Sequence, residues 1–144
     1  NVLESSSLSL TGFDSFEGLE EDWTGIQSGR AAGAFSQAGK LPEVPSNVTL
    51  VKGWIQDTLP PYLESVGDAK FGFIHMDMDT YTPTKFALTK VKPFLTSGTV
   101  ILFDELYGYP GWRHHEYKAL QEVLEPGTYT YICFSEEAVA IEIN

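Results

Sequence analysis

The sequence predicts an α/β fold, with a mostly parallel sheet, covering helices and a closing antiparallel hairpin. Three observations predict it. Two apolar runs, Phe71–Met76 and Thr99–Phe103, show no polar alternation, the pattern of strands buried on both faces of a parallel sheet. The segment between them is long enough to hold a crossover helix, as parallel neighbours require. Two further apolar runs, Tyr129–Phe134 and Val139–Ile143, are separated only by a short stretch around Ser135–Glu137, which suits a hairpin.

Taken in order, Asn1–Ser7 carries no initiation pattern and no Met, and reads as the end of a helix or a linker cut from something longer. Leu8–Phe13 reads as a strand, with Asp14 at its end and Glu17–Gly18 in the turn that follows. Glu20–Asn47 holds Gly25, Gly29, Gly33, Gly39, Pro42 and Pro45, a density that predicts a long surface loop with one helical turn around Arg30–Phe35. A loop of this length in a compact domain is often a lid or binding loop; a plain connection is the alternative. Trp23 and Phe35 give it side chains to bury.

Val48–Lys52 reads as a strand ending at Gly53, and Gln56–Val66 as a helix with Pro60-Pro61 at a turn boundary. After Phe71–Met76, Thr82-Pro83 opens the next helix, with Thr82 as N-cap and Pro83 at the first helical position. Ala87, Val91, Phe94 and Leu95 share one face of it, and Pro93 stops or kinks it. Thr99–Phe103 leads into an aromatic loop, Tyr107–Trp112. His114–Leu124 forms a third helix, with Ala119, Leu120, Val123 and Leu124 inward, stopped by Pro126-Gly127.

The 144 residues suit a single domain, residues 1–144, with enough chain to bury a core. A net charge of −11 argues against a nucleic-acid partner. The single cysteine, Cys133, excludes an internal disulfide framework and reads as a buried thiol in a reducing compartment. No run is long enough to span a bilayer and no signal-peptide pattern opens the chain. A cytoplasmic location and no membrane partner are therefore expected.

The chemistry gathers where the apolar runs end. Asp77 and Asp79 follow the first, and Asp104 and Glu105 follow the second. In open α/β sheets, working residues sit just past the carboxyl ends of the strands, so these acids converge on one crevice. Three carboxylates there repel unless a cation or a proton joins them. Oxygen-only ligands suit Mg²⁺, Ca²⁺ or Mn²⁺, which makes Asp77, Asp104 and Glu105 the candidate metal set. Helix capping or solvent exposure is the plainer reading; for Asp79, capping or support of the Tyr81 loop is the better one. Asp14 is placed to accept hydrogen bonds from ribose hydroxyls, or simply to form a turn. His75, inside a strand, suits a core hydrogen bond, and either His114 or His115 suits a general base. No Gly-rich phosphate loop of the G-x-G-x-x-G or G-x-x-x-x-G-K-[ST] type occurs.

Four segments, GFDSFEGL at Gly12–Leu19, KGWIQDTLP at Lys52–Pro60, FIHMDMDTYTPT at Phe73–Thr84 and VILFDELYGYPGW at Val100–Trp112, resemble the class I S-adenosylmethionine-dependent methyltransferases, and within them the macrocin O-methyltransferase family. The resemblance runs from Leu8 to Asn144. It implies a Rossmann-like sheet of strand order 3-2-1-4-5-7-6, in which Leu8–Phe13 matches the second strand. It further implies that Asp14 and Ser15 lie at the cofactor ribose, and Gly53, Trp54 and Asp57 near the adenine. Asp77 would lie beside the cofactor and, with Asp104 and Glu105, would hold a divalent cation such as Mg²⁺. His115 is implied as a possible base, and a hydroxyl of a small molecule or sugar as the acceptor, flanked by the Glu20–Asn47 and Tyr107–Trp112 loops. Relatives often have Asp-Asp or Asp-Asn where this chain has Asp104–Glu105.

The family's first strand and its Gly-rich loop have no counterpart here, so the chain looks like the carboxyl-terminal two-thirds of such a domain. Weak or absent cofactor binding by this chain is expected, together with a homo-oligomer that covers the strand edges left open. Two other readings stay open. Asp77-Met78-Asp79 is a D-x-D triplet of the kind that holds a metal and a sugar nucleotide in glycosyltransferases, and the chain is otherwise a non-catalytic remnant or interaction module.

Overall fold

Each parallel pair of strands forms where apolar runs alternate with connections long enough to cross over. β1 (Leu10–Asp14) pairs in parallel with β2 (Val48–Lys52), Leu10 opposite Val48 and Asp14 opposite Lys52. β3 (Phe73–Met76) pairs in parallel with β4 (Val100–Phe103). β5 (Tyr129–Ser135) and β6 (Ala138–Ile143) make the closing hairpin, and β6 runs antiparallel beside β4. The helices are α1 (Ile55–Val66), α2 (Tyr81–Val91) and α3 (Glu116–Val123). The computed structural model describes residues 8–23 and 30–144. The reading of Asn1–Ser7 and the part of the long loop at 24–29 lie outside the described residues.

The strands form two sheets, β1-β2 and β3-β4-β6-β5, with no ladder between β1 and β3 among the described residues. A shared core joins them. α2 lies between α1 and α3 and touches both. Leu59 and Leu63 of α1, Leu88 and Val91 of α2 and Leu120 of α3 pack with Met76, Ile101, Phe103, Val139 and Ile141. The inward residues of each strand are spaced two apart, as a pleated strand demands. Phe13 of β1 meets Tyr62 of α1 edge-on at 5.0 Å, which fastens the small sheet to the helix layer.

Several expectations change. Phe71–Met76 is not buried on both faces: Ile74 and Met76 join the core, while Phe73 is 53% exposed and the His75 side chain is half-exposed. Among the described residues β3 has a strand neighbour on one side only, and the face that carries Phe73 and His75 is open. Cys133 is exposed rather than buried, because β5 is the outer strand of its sheet.

Pro60 and Pro61 lie inside α1 instead of ending it. Pro61 leaves the carbonyl of Asp57 without its helical donor, and Asp57 is exposed to water. α2 starts at Tyr81 with Thr80 at the cap, so Pro83 is the third helical residue, still within the first turn whose N–H groups lack helical partners. Pro93 sits in a 3₁₀ turn, Lys92–Phe94, that ends α2 as expected. In the long loop, Trp23 is buried but Phe35 is exposed, and the helical turn at Arg30–Phe35 is a turn without a helix.

Candidate functional site

The sequence after β1 is short and polar, and it folds back on itself. The Phe16 N–H donates to Asp14 Oδ1 at 2.6 Å, and the Glu17 N–H donates to Ser15 Oγ at 3.0 Å. After β2, Gly53 takes φ 143 and donates its N–H to the Asp14 carbonyl at 2.9 Å. A Cβ at Gly53 would come within 2.7 Å of Thr58 Cγ2, so only glycine fits both the backbone and the space. The ends of β1 and β2 are thereby held against the start of α1.

A cavity of about 280 Å³ opens beside them, lined by Asp14, Ser15, Gly53, Trp54 and Asp77 among others. Its size is just under that of pockets that enclose a drug-sized ligand, about 300–1,000 Å³. Five of the six residues expected at a cofactor thus meet at one opening; Asp57, in the first turn of α1, is not among its lining residues. Phe35 and Gln37 of the long loop close one side. The cavity draws walls from the ends of both sheets, Asp14 and Gly53 on one side and Asp77 and Asp79 on the other.

At the β3–β4 end, Asp77, Asp104 and Glu105 each offer a carboxylate oxygen, and these oxygens lie within 4.8 Å of one another. The Asp104 N–H donates to the Met76 carbonyl at 3.0 Å, the last backbone bond between the two strands before their loops diverge. His75 Nε2 lies 3.4 Å from Asp104 Oδ1, so its partner is a site carboxylate and not a core group. Burial first, then the neighbouring Asp104 carboxylate, pushes the Asp77 carboxyl above its usual range.

A second layer of acids lies beneath. Asp79 has φ 57 and is buried; its carboxyl bonds to that of Glu105. Burial is the main reason Glu105 is pushed up to about 9, and the bond to Asp79 comes next. Burial and the nearness of the two carboxyls raise both Asp79 and Glu105, which favours a proton held between them. Glu116, at the first position of α3, is 0% exposed and accepts the Glu105 N–H at 3.2 Å. Burial pushes it up to about 8, against the pull of the Glu105 N–H.

His115 is 4% exposed and stacks under Tyr109, with ring centroids 6.5 Å apart. It faces the buried acids, where it acts on the charge of Asp79, and it does not line the cavity. Tyr109 in turn meets Trp23 edge-on at 5.6 Å, so the two expected flanking loops touch each other above the acids.

Sequence reasoning gave Asp79 a capping role, kept His75 in the core and passed over Glu116. The signal for Glu116 was its place at the start of α3, after the aromatic loop and a 3₁₀ turn, Trp112–His114, but burial of an acid there depends on tertiary contacts.

A methyltransferase domain model matches residues 1–106. Among solved structures, CalS11, described as a calicheamicin methyltransferase, superposes with a TM-score of 0.72 at 23% identity, over 93% of this chain and 60% of that one. An apo structure of CalS11, described as a TDP-rhamnose 3′-O-methyltransferase, gives 0.59 at 29% identity, over 69% of this chain and 43% of that one. The O-methyltransferase NovP gives 0.62 at 17% identity, over 98% of this chain and 62% of that one. The chain spans roughly two-fifths to three-fifths of the length of these structures. No curated protein sequence matches it. No helix among the described residues is long and apolar enough to cross a membrane. The family model covers well over half of the chain, from its start to just past the end of β4: this chain belongs to the methyltransferase domain family.

Proposed function

We propose that this domain serves S-adenosylmethionine-dependent O-methylation, assisted by a divalent cation, of a hydroxyl on a small molecule or sugar. The observation that carries the reading is the single cavity at which Asp14, Ser15, Gly53 and Trp54 of one sheet meet Asp77 of the other, directly beside the Asp77, Asp104 and Glu105 oxygens. Asp14 presents a carboxylate suited to ribose hydroxyls, and Trp54 offers a flat apolar surface for the adenine. CalS11, described as a TDP-rhamnose 3′-O-methyltransferase, supports the acceptor class.

The donor set fits a hard cation. Asp77 and Asp104 are acids of ordinary ligating type, and a buried Glu105 oxygen has no hydrogen-bond partner. Such an ion, commonly Mg²⁺, lowers the pKa of a hydroxyl bound to it. Glu105 gives up its proton if it joins the ligand set, which ties occupancy to pH. S-adenosylmethionine bound in this cavity would supply the methyl group, and a base beside the acids would take the proton of the acceptor hydroxyl. None of the three imidazoles lines the cavity; of the bases expected from the sequence, His114 lies in the turn before α3 and His115 is buried under Tyr109, whereas His75 is half-exposed beside Asp104 of the acid cluster. The base is therefore assigned to His75, and His115 supports the aromatic loop.

The test is a titration of the ¹⁵N-labelled chain with S-adenosylhomocysteine. Weak binding is expected, with amide shifts concentrated at Asp14–Phe16 and Gly53–Ile55 and reduced in Asp14→Ala. Shifts at those amides with a uridine sugar nucleotide and Mn²⁺, and none with S-adenosylhomocysteine, would favour the D-x-D glycosyltransferase reading. No shift with either ligand removes the cofactor assignment for this chain.

A further inference from the structure

β5 is the outer strand of the four-stranded sheet, with β6 on one side and no strand on the other among the described residues. An outer strand presents a row of backbone N–H and C=O groups without a ladder, and proteins usually blunt such an edge with charge or proline. β5 reads YTYICFS from Tyr129 to Ser135 and carries neither. Its register against β6 shifts between Tyr131 and Cys133, which makes Ile132 an extra residue.

That bulge decides where the rings stand. Residues opposite each other in a ladder share a face. Tyr129, Tyr131 and Phe134 lie opposite Ile143, Ile141 and Val139. Ile141 and Val139 are buried, so all three rings stand on the face that carries the core. Gln121 of α3 donates to the Tyr129 hydroxyl at 3.0 Å on that side. The rings touch in a row: Tyr129 to Tyr131 at 5.5 Å, Tyr131 to Phe134 at 5.7 Å, and Phe134 to Tyr107 at 5.5 Å. The row continues the core outward, yet Tyr131 is 41% exposed and Phe134 57%. An uncovered aromatic row beside an edge without charge is completed by one more strand.

Charge decides whose strand it is. The chain carries a net charge of −11, and β5 has no charged residue. Two copies therefore meet here without setting like charges opposite each other. An antiparallel pair of β5 strands about a two-fold axis is also self-complementary. It keeps both aromatic rows on one face, ring against ring. We propose that β5 is a dimer edge: two copies of this chain pair through β5, antiparallel, and join their four-stranded sheets into one. β3 lies at the opposite end of the same sheet, so this interface is separate from the open edge there.

Cys133 reports on the pairing. It is the one cysteine of the chain, it is exposed, and it stands next to the middle residue of β5. Pairing about the middle of the strand brings the Cys133 thiols of two copies within reach of a short bismaleimide, which joins them through two thioether bonds. The parent chain is expected to sediment as a dimer in exchange with monomer and to crosslink through Cys133. Phe134→Lys sets a positive charge in each row; it is expected to weaken the dimer by about tenfold or more and to lose most of the crosslink. Tyr131→Lys is expected to do the same and serves if Phe134→Lys does not fold. Phe73→Lys, on β3, is expected to leave the Cys133 crosslink unchanged.

A monomer at every concentration overturns the proposal and leaves the aromatic row to another occupant. A dimer with no crosslink at Cys133, or a crosslink that survives Phe134→Lys or Tyr131→Lys in a folded chain, also overturns it. A dimer lost only in Phe73→Lys assigns the association to β3 and does the same. If neither lysine variant of β5 folds, the crosslink in the parent chain decides.

Discussion

Glu21 accepts both the backbone N–H of Thr82, at 2.8 Å, and its hydroxyl, at 2.7 Å. A residue of the long loop thereby satisfies the open first turn of α2, at a point where Thr80, the cap residue, makes no capping hydrogen bond with its side chain. The adjacent Glu20 accepts from Gln56 Nε2 of α1 at 2.5 Å. Two consecutive acids therefore tie the loop to two helices, and the loop is part of the wall of the site. Glu21→Ala should cost about 0.5–2 kcal/mol, the usual value of a helix N-terminal cap, read as a lower denaturation midpoint. It should also speed exchange of the Thr82 amide. An unchanged midpoint would mean that water replaces Glu21 at no loss.

Asp77 should show effects of opposite sign with and without metal. Burial and the neighbouring Asp104 carboxylate oppose its charge, so Asp77→Asn should raise the melting temperature of the metal-free chain. The parent chain should be stabilised by Mg²⁺ or Mn²⁺, by about 2.7 kcal/mol when the ion is at a hundred times its dissociation constant. Asp77→Asn, and more fully Asp77→Ala with Asp104→Ala, should lose that gain. An equal metal-induced shift in the double variant would place the ion elsewhere.

Stability should fall as pH rises through the neutral range. Glu116 and Glu105 ordinarily titrate near 4.5; burial holds them in the fold up to about 8 and about 9. Between 4.5 and those values the unfolded chain has lost the protons that the folded chain keeps. Fewer protons bound in the unfolded state means stability that is fully present below about 4.5 and declines towards pH 8–9. For the fully buried Glu116 the slope is at most about 1.4 kcal/mol per pH unit. Melting temperatures from pH 5 to 9 without metal should show the decline, and Glu116→Gln should flatten it. A melting temperature that climbs across this window would contradict the assignment of protons to these two acids.

Self-association is the expected answer to the open strand edges. β1 pairs only with β2, and β3 only with β4, among the described residues. Each leaves a row of backbone donors and acceptors without a ladder, which invites another strand. Phe73 on β3 adds an exposed aromatic ring. Sedimentation equilibrium of this chain should show a concentration-dependent dimer or larger species. A monomer at every concentration would show that water and side chains suffice along those edges.

The sequence made the alternation of elements legible because apolar periodicity and Gly/Pro punctuation are local signals. Thr99–Phe103, Ala87, Val91 and Leu120 read correctly for that reason. Phe73 and Cys133 did not, because an apolar residue on an open face or an outer strand looks the same in sequence as one in the core. Pro60 and Pro61 misled for the opposite reason: a strong local rule yielded where the freed carbonyl faces water. That Asp77, Asp104 and Glu105 come together was legible from their place after apolar runs. Glu116 and Asp79 were not, since only the folded chain shows an acid at a helix start to be buried or an Asp to have φ 57.

The pairing of Leu10 with Val48 and Asp14 with Lys52 has a kinetic consequence. The hairpin β5–β6 and the β3–α2–β4 unit close over short distances along the chain, whereas β1 must find β2 across the whole of the long loop. Non-local pairings pay their closure entropy before any contact repays it. The small sheet should therefore form after the β5–β6 hairpin and the β3–α2–β4 unit, so the wall that carries Asp14 and Gly53 assembles after the one that carries Asp77.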